Sequence, residues 1–194
     1  MEGLENLKKV LGSLAGDYSR DMTEIDQLFT LKTYKKNDFF LKEKSISKNI
    51  AFVVTGALRE FYIDKAGREY NKTFCFPGQF TGSYFDLASN KPSNVSIQAM
   101  ADSKVLVMSY RKSRELMEKD IFWLKVGYAS AHNLLMYKLQ KEYQLLTLSA
   151  KERYELLLKE NPHLEQLVPA YHIASYLGIT PISLSRLRSP KRRK

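Results

Sequence analysis

Apolar residues recur along the first sixteen positions at the spacing of a helix. Leu4, Leu7, Val10 or Leu11, and Leu14 fall on one face, so residues 4–16 predict an amphipathic helix. Residues 22–31 continue helically, with Thr23 suited to cap that stretch. From Lys32 the period changes. Residues 38–41, 50–55, 57–64 and 68–76 are short runs rich in β-branched and aromatic side chains. Turn signals at 47–49, Gly56, 65–67 and 77–78 separate them. The run from Asp64 to Gly67 suits a hairpin, because glycine takes the positive φ such turns require. Residues 96–101 and 105–109 add two more strands around a turn at 101–103. Short strands spaced near ten residues apart predict an antiparallel sandwich or barrel.

After Tyr110 the pattern is helical again. Residues 111–119 make a short helix, and residues 121–148 contain no proline and one glycine, Gly127. Ile121, Leu124, Tyr128, Ala131, Leu135, Leu139 and Leu146 recur at mixed spacings of three and four, as in a coiled-coil seam. A helix of about 27 residues is roughly 40 Å long. Such a seam needs a partner along its whole length, which points to a dimer; packing along one face of its own domain is the alternative. His132 on this stretch reads as a surface or interface residue. Ser149 and Glu152 have the spacing of a capping box for a helix running to about Glu160, where Asn161-Pro162 stops it.

Residues 170–188, AYHIASYLGITPISLSRLR, read as two short helices around a tight turn at Gly178. Ile173 and Leu177 precede the turn, Ile179 sits in it, and Leu184 and Leu187 follow. Ala174 is small where the second helix crosses closely. This is the pattern of a helix-turn-helix, whose second helix enters the major groove of DNA. Thr180 is a natural N-cap and Pro181 suits the first helical position. With Leu184 and Leu187 inward, Ile182, Ser183, Ser185 and Arg186 face outward to varying degrees. Arg186 is the best base reader, since its fork matches guanine O6 and N7. Ser183 and Ser185 suit bases or phosphates, Thr180 and the first amides a phosphate, and Arg188 the DNA backbone. His172 reads as the cap of the first helix.

Charge agrees. The chain of 194 residues carries 31 Lys+Arg against 21 Asp+Glu, a net charge of +10 that favours a polyanionic partner. From Arg186 to the end there are six cations and no acid; Lys191, Arg192, Arg193 and Lys194 suit backbone or groove-edge contacts, or a solvated end. The one cysteine, Cys75, forms no internal disulfide and reads as a small buried side chain on a strand. The three histidines lie far apart in sequence, so no local metal motif forms. No stretch has the apolar length of a signal peptide or a membrane span, so we expect a cytoplasmic protein without a membrane partner. A metal enzyme on a cupin-like roll would gather histidines on strands, and residues 32–109 contain none. No nucleophile triad, phosphate loop or carboxylate pair marks an enzyme elsewhere. Charge alone would also suit a nucleoid protein, which has no need of a β-roll.

The order of helix, β-roll, long helix and helix-turn-helix resembles the Crp/Fnr family of bacterial transcription regulators over nearly the whole chain. The segments that carry the likeness are FFLKEKSISKNIAFVVTGALREFYID from Phe39, PGQFTGSYF from Pro77 and HIASYLGITPISLSRLR from His172. The resemblance implies an α+β fold: an N-terminal antiparallel β-roll of the jelly-roll (double-stranded β-helix) type flanked by helices over residues 1–120, a dimerisation helix over 121–148 and a DNA-binding unit over 149–194. It implies a homodimer on a pseudo-palindromic double-stranded site, a small effector in the roll, and RNA polymerase as the partner that activation would require.

The effector pocket departs from the family pattern. Gly82, Ser83, Tyr84, Ser93 and Asn94 are the candidates there. Ser83 stands where cyclic-nucleotide binders have a glutamate on the ribose, and Ser93-Asn94 stand where they have Arg-Ser or Arg-Thr on the cyclic phosphate. Cyclic AMP or GMP would lose its charge-assisted partner, and Lys91 is a point charge rather than a planar fork. A single cysteine does not hold an iron–sulfur cluster. Haem would need axial ligands, and Pro77 rather than a histidine lies near Cys75. No cofactor is therefore assigned, and the effector stays open. Phe74, Phe76, Phe80, Tyr84 and Phe85 read as the core of the roll, or else as the lining of an apolar pocket. In the recognition helix, two polar readers of the best-known members are replaced by Pro181 and Ile182. Family members often continue into a hairpin wing; here Ser189-Pro190 closes the helix and basic residues follow, so affinity would depend more on the tail and on salt. A small-molecule receptor with a degenerate DNA-binding unit is the alternative.

Overall fold

The computed structural model describes residues 2–189. Helix α1 (Glu2–Ala15) is followed by the single turn α2 (Ile25–Leu28). The strands are β1 (Thr30–Tyr34), β2 (Phe39–Leu41), β3 (Asn49–Thr55), β4 (Leu58–Ile63), β5 (Glu69–Cys75) and β6 (Phe80–Thr81), then β7 (Ser96–Ala99) and β8 (Ser103–Ser109) after the short helix α3 (Tyr84–Ser89). Helices α4 (Tyr110–Lys119), α5 (Ile121–Thr147), α6 (Ala150–Glu160), α7 (Leu164–Leu167), α8 (Ala170–Leu177) and α9 (Pro181–Arg188) complete the chain.

The strands form two four-stranded sheets, ordered β1-β8-β3-β6 and β2-β7-β4-β5, with every pairing antiparallel. Apart from the β4–β5 hairpin, consecutive strands alternate between the sheets, as in a jelly roll. Ala51, Val53, Leu58, Ile97, Val105 and Val107 point into the space between the sheets and fill it. Strand β3 is buried on both faces, which is why its sequence is a continuous apolar run rather than an alternating one. Its Phe52 faces outward and packs with Leu106 and Met108 against Leu7 and Leu11 of α1 and Phe122, Trp123 and Val126 of α5.

One expectation is corrected here. The chain does not stay helical through residue 31: after α2 it turns extended at Phe29 and pairs with β8 as an edge strand whose side chains are almost all exposed. The link between α6 and α8 contains the helical turn α7. Gly127 lets α4 approach α5, because a β-carbon there would collide with the Met117 sulfur. Among the described residues no helix is long and apolar enough to cross a membrane.

Candidate nucleic-acid interface and sensor core

The inner faces of α8 and α9 make the helix-turn-helix one packed unit. Ile173, Ala174, Leu177 and Leu184 are buried with Tyr154 and Leu157 of α6 and Leu164 of α7. Gly178 adopts φ +69° and donates its N–H to the Ala174 and Ser175 carbonyls, ending α8 in the left-handed conformation that glycine tolerates without strain. The Ile179 N–H also reaches the Ala174 carbonyl, at 3.0 Å. Thr180 caps α9, its hydroxyl accepting the Ser183 N–H at 3.1 Å, and Pro181 occupies the first turn.

The outer face of α9 carries Ile182, Ser185 and Arg186, all exposed. Arg186 makes no ion pair or side-chain hydrogen bond among the described residues, so its fork points to solvent unpaired. Ser183 is half-buried and its hydroxyl lies 2.9 Å from that of Thr180. Arg188 is tied inward: its Nε donates to Glu165 at 2.8 Å and to the Tyr154 hydroxyl at 3.2 Å, fastening α9 to α6 and α7. Lys191, Arg192, Arg193 and Lys194 lie outside the described residues. The cap of α8 is Pro169 rather than His172, which is buried one turn into the helix.

Helix α5 buries only Phe122, Trp123 and Val126 at its N-terminal end. Beyond them Ile121, Leu124, Tyr128, Leu135 and Leu139 stand between 49 and 72 % exposed, with Ala131 half-buried among them. The seam read from the sequence is thus a bare apolar stripe along one side of the helix, continued by Leu146 at 76 %. His132 is exposed and its ring stacks on Tyr128.

The pocket candidates do not converge. Tyr84 and Asn94 are exposed, whereas Ser83 and Ser93 are buried. Gly82 lies in the link between β6 and α3. The Ser93 hydroxyl donates to the buried carboxylate of Asp86 and accepts the Val95 N–H at 3.0 Å. Beside Ser93, where a cyclic phosphate would need a cation, lies the buried carboxylate of Asp86. None of the five candidates lines the groove between Phe39 and Asn49, nor the concavity formed by Tyr154, Leu158, Glu165, Leu187 and Arg188. Two rings expected in the core or a pocket, Tyr84 and Phe85, are instead exposed at 49 and 69 %, because α3 turns them outward. Phe80 packs edge-on to Phe52, and Phe74 packs on Tyr176 of α8.

Inside the roll, Glu60 is buried, paired with Lys72 at 2.9 Å, and accepts the Thr81 hydroxyl at 2.9 Å. Cys75 lies beside it, its thiol pushed far above the ordinary range by burial and then by the Glu60 charge. A thiol held protonated is a poor nucleophile, and Cys75 packs in the apolar cluster between the sheets, which fits a packing role.

A second polar cluster escaped sequence reasoning. Arg59 of β4, buried, sends Nε and Nη2 to the Gln98 side chain, pairs with Glu69, and lies 3.3 Å from Asn71 Oδ1 and from His172 Nδ1. Asn71 Nδ2 lies 3.1 Å from the same His172 nitrogen, and the Asn71 N–H donates to Ser175 at 3.0 Å. Burial, reinforced by the Arg59 charge, lowers the His172 pKa to about 4. The imidazole is therefore neutral at pH 7, and Nδ1 accepts. Tyr137 of α5 meets Tyr176 hydroxyl to hydroxyl at 3.2 Å, and the Lys141 ammonium lies 3.6 Å from the Tyr176 ring centre. Burial pushes that ammonium down to about 8. These contacts fix the first helix of the helix-turn-helix to β5 and α5. No local pattern announced them, since the partners lie on different elements, up to 113 positions apart for Arg59 and His172.

Comparison with known proteins places this architecture. Residues 31–120 match the family model of the cyclic nucleotide-binding domain. No curated protein matches the sequence. Among solved structures, FixK2 from Bradyrhizobium japonicum is 23 % identical, with 82 % of each chain covered and a TM-score of 0.67. A variant of CooA from Carboxydothermus hydrogenoformans is 20 % identical over 92 % of this chain and 81 % of that one, with a TM-score of 0.67. A protein from Eubacterium rectale, put forward as a transcriptional regulator of the Crp/Fnr family, is 17 % identical over 87 and 82 %, with a TM-score of 0.64.

Proposed function

We propose that this chain, which has the fold of the Crp/Fnr transcription regulators and a cyclic nucleotide-binding-type roll, is a sequence-specific DNA-binding regulator acting as a cytoplasmic homodimer rather than an enzyme. The observation that carries this reading is the two-faced helix α9. Its inner side is sealed by Leu184 and its outer side offers an exposed arginine, unpaired among the described residues, between small and apolar side chains. An α-helix with side chains is about 10–12 Å across and the major groove about 12 Å wide, so α9 fits lengthwise. Arg186 would pair with guanine O6 and N7. Ser185 would contact a base or phosphate, and Thr180 and Ser183 at the helix N-terminus a phosphate.

The apolar stripe of α5 supports the dimer. Side chains this large stay exposed along some four turns only at a cost that a second copy removes, and two copies of the seam are self-complementary under a two-fold axis. The chain then divides into a roll over residues 1–120, a dimer helix over 121–148 and a DNA-binding unit over 149–194. The effector, if the roll takes one, is not a cyclic nucleotide, and Gly82, Ser83, Tyr84, Ser93 and Asn94 shape the loop rather than a ligand site.

Selection of bound sequences from a random duplex pool, with purified protein and no added ligand, tests this. The expected result is an inverted repeat with half-site centres about one helical turn, or 34–36 Å, apart. Arg186→Ala should erase the guanine preference while leaving salt-sensitive binding to any duplex. Absence of any enriched motif would favour a receptor whose reading head no longer reads.

A further inference from the structure

Ile182 is 67 % exposed on the outer face of α9, although Leu184, two residues on, is 1 % exposed in the core. It belongs to none of the apolar clusters of the molecule. It lies one turn before Arg186, on the same side of the helix. Of its neighbours, Ser183 is half-buried with its hydroxyl against Thr180 at the helix N-terminus, and Arg188 is fastened to Glu165 and Tyr154. With Pro181, Ser185 and Arg186, Ile182 is therefore among the exposed side chains that α9 presents to whatever it enters.

Isoleucine has no donor or acceptor to offer a base edge. In the major groove the apolar feature of a base edge is the C5-methyl group of thymine. A β-branched side chain on a helix is held in essentially one χ1 rotamer, so it gives up little freedom on binding. We infer that Ile182 is a specificity-determining residue that reads the C5-methyl of a thymine in each half-site. This rests on the reading of α9 as a groove helix. Four residues of helix span about 6 Å, and successive base pairs are about 3.4 Å apart, so the thymine lies within about two base pairs of the guanine read by Arg186.

The test uses the full-length protein and the duplex selected above. Each thymine is replaced in turn by deoxyuridine, which removes one methyl group and leaves every hydrogen-bonding group in place. At one symmetric position, affinity should fall about fourfold per half-site, or about fifteenfold when both are changed, as expected for one buried methyl group each. Ile182→Ser should bind thymine and uracil duplexes equally well and retain its Arg186-dependent guanine preference. Ile182→Val should keep most of the discrimination. Equal affinity of the wild-type protein for thymine and uracil at every position, with the guanine preference intact, would overturn the role of Ile182 and leave the regulator standing. Loss of all sequence preference in the wild-type protein would overturn both.

Discussion

A neutral imidazole facing a guanidinium makes the seat of α8 sensitive to mild acid. The folded His172 has a pKa of about 4, against 6.5 for an ordinary histidine, so the unfolded chain takes up the proton first as pH falls. Stability from this contact is complete above about pH 6.5, declines between 6.5 and 4, and changes no further below that. Urea unfolding at pH 7 and pH 5 should differ by roughly 1–2 kcal/mol, and His172→Gln, which does not titrate, should flatten that difference. The carboxylates held low by hydrogen bonds, such as Asp64 and Asp102, lose their contribution only in more acidic solution. An unchanged pH profile in the variant would mean that another group sets it. None of this was legible in the sequence, because Arg59, Gln98 and His172 become neighbours only through the pairing of β4 with β7 and the docking of α8 on β5.

At the scale of the element, local chemistry predicts well where the partner lies within a few residues. Ser149 accepts the Glu152 N–H at 3.3 Å while the Glu152 carboxylate accepts the Ser149 N–H at 2.8 Å, closing the expected capping box. Ser149→Ala should cost about 1 kcal/mol in chemical denaturation. The exposed apolar stripe of α5 was equally legible in its mixed spacings of three and four; its four-residue step from Leu135 to Leu139 departs from a strict heptad and would locally unwind a supercoil. Leu135→Glu should give a monomer by sedimentation or light scattering with the thermal midpoint of the isolated fold little changed, since Leu135 is exposed in the single chain. A dimer that survives this substitution would place the interface elsewhere. Strands β1 and β6 escaped: TLKTY shows no alternation because it is an edge strand with exposed side chains, and β6 is two residues long. Helix α3 escaped for a related reason, since its six residues include the exposed Tyr84 and Phe85 and lack a helical apolar period.

For the whole molecule, charge and packing act at different ranges. A net charge of +10 favours polyanionic partners, and in the proposed regulator it would draw the protein to any duplex by a long-range attraction that salt removes. Deleting residues 191–194 should weaken binding to all sequences alike. It should also lower the slope of log affinity against log salt by roughly one unit for each phosphate that the tail would have neutralised. Equal loss of sequence preference from this deletion and from Arg186→Ala would remove the division between backbone and base contacts. Packing joins the two ends of the chain: Ala57, Phe74 and Met100 of the roll share one apolar cluster with Tyr154, Leu157 and Ile173. Millimolar cyclic AMP should leave both the thermal midpoint and the duplex affinity unchanged, because a ligand that favours neither state shifts no equilibrium. A rise in either would reopen the loop around Asp86 as a binding site.

By itself the sequence determined whatever depends on near neighbours. It carried the period of each long helix and central strand, the caps at Ser149 and Thr180, the glycine turn at 178, and the outward placement of Arg186 and the α5 seam. The tertiary structure alone decided how distant groups meet. It spent Ser93 on Asp86, tied Arg188 to Glu165, turned Phe85 to solvent, and brought His172 against Arg59. The physical reason is that propensity and periodicity are set within a turn or a hairpin, whereas the partner of a buried polar group is chosen by whichever element closes over it.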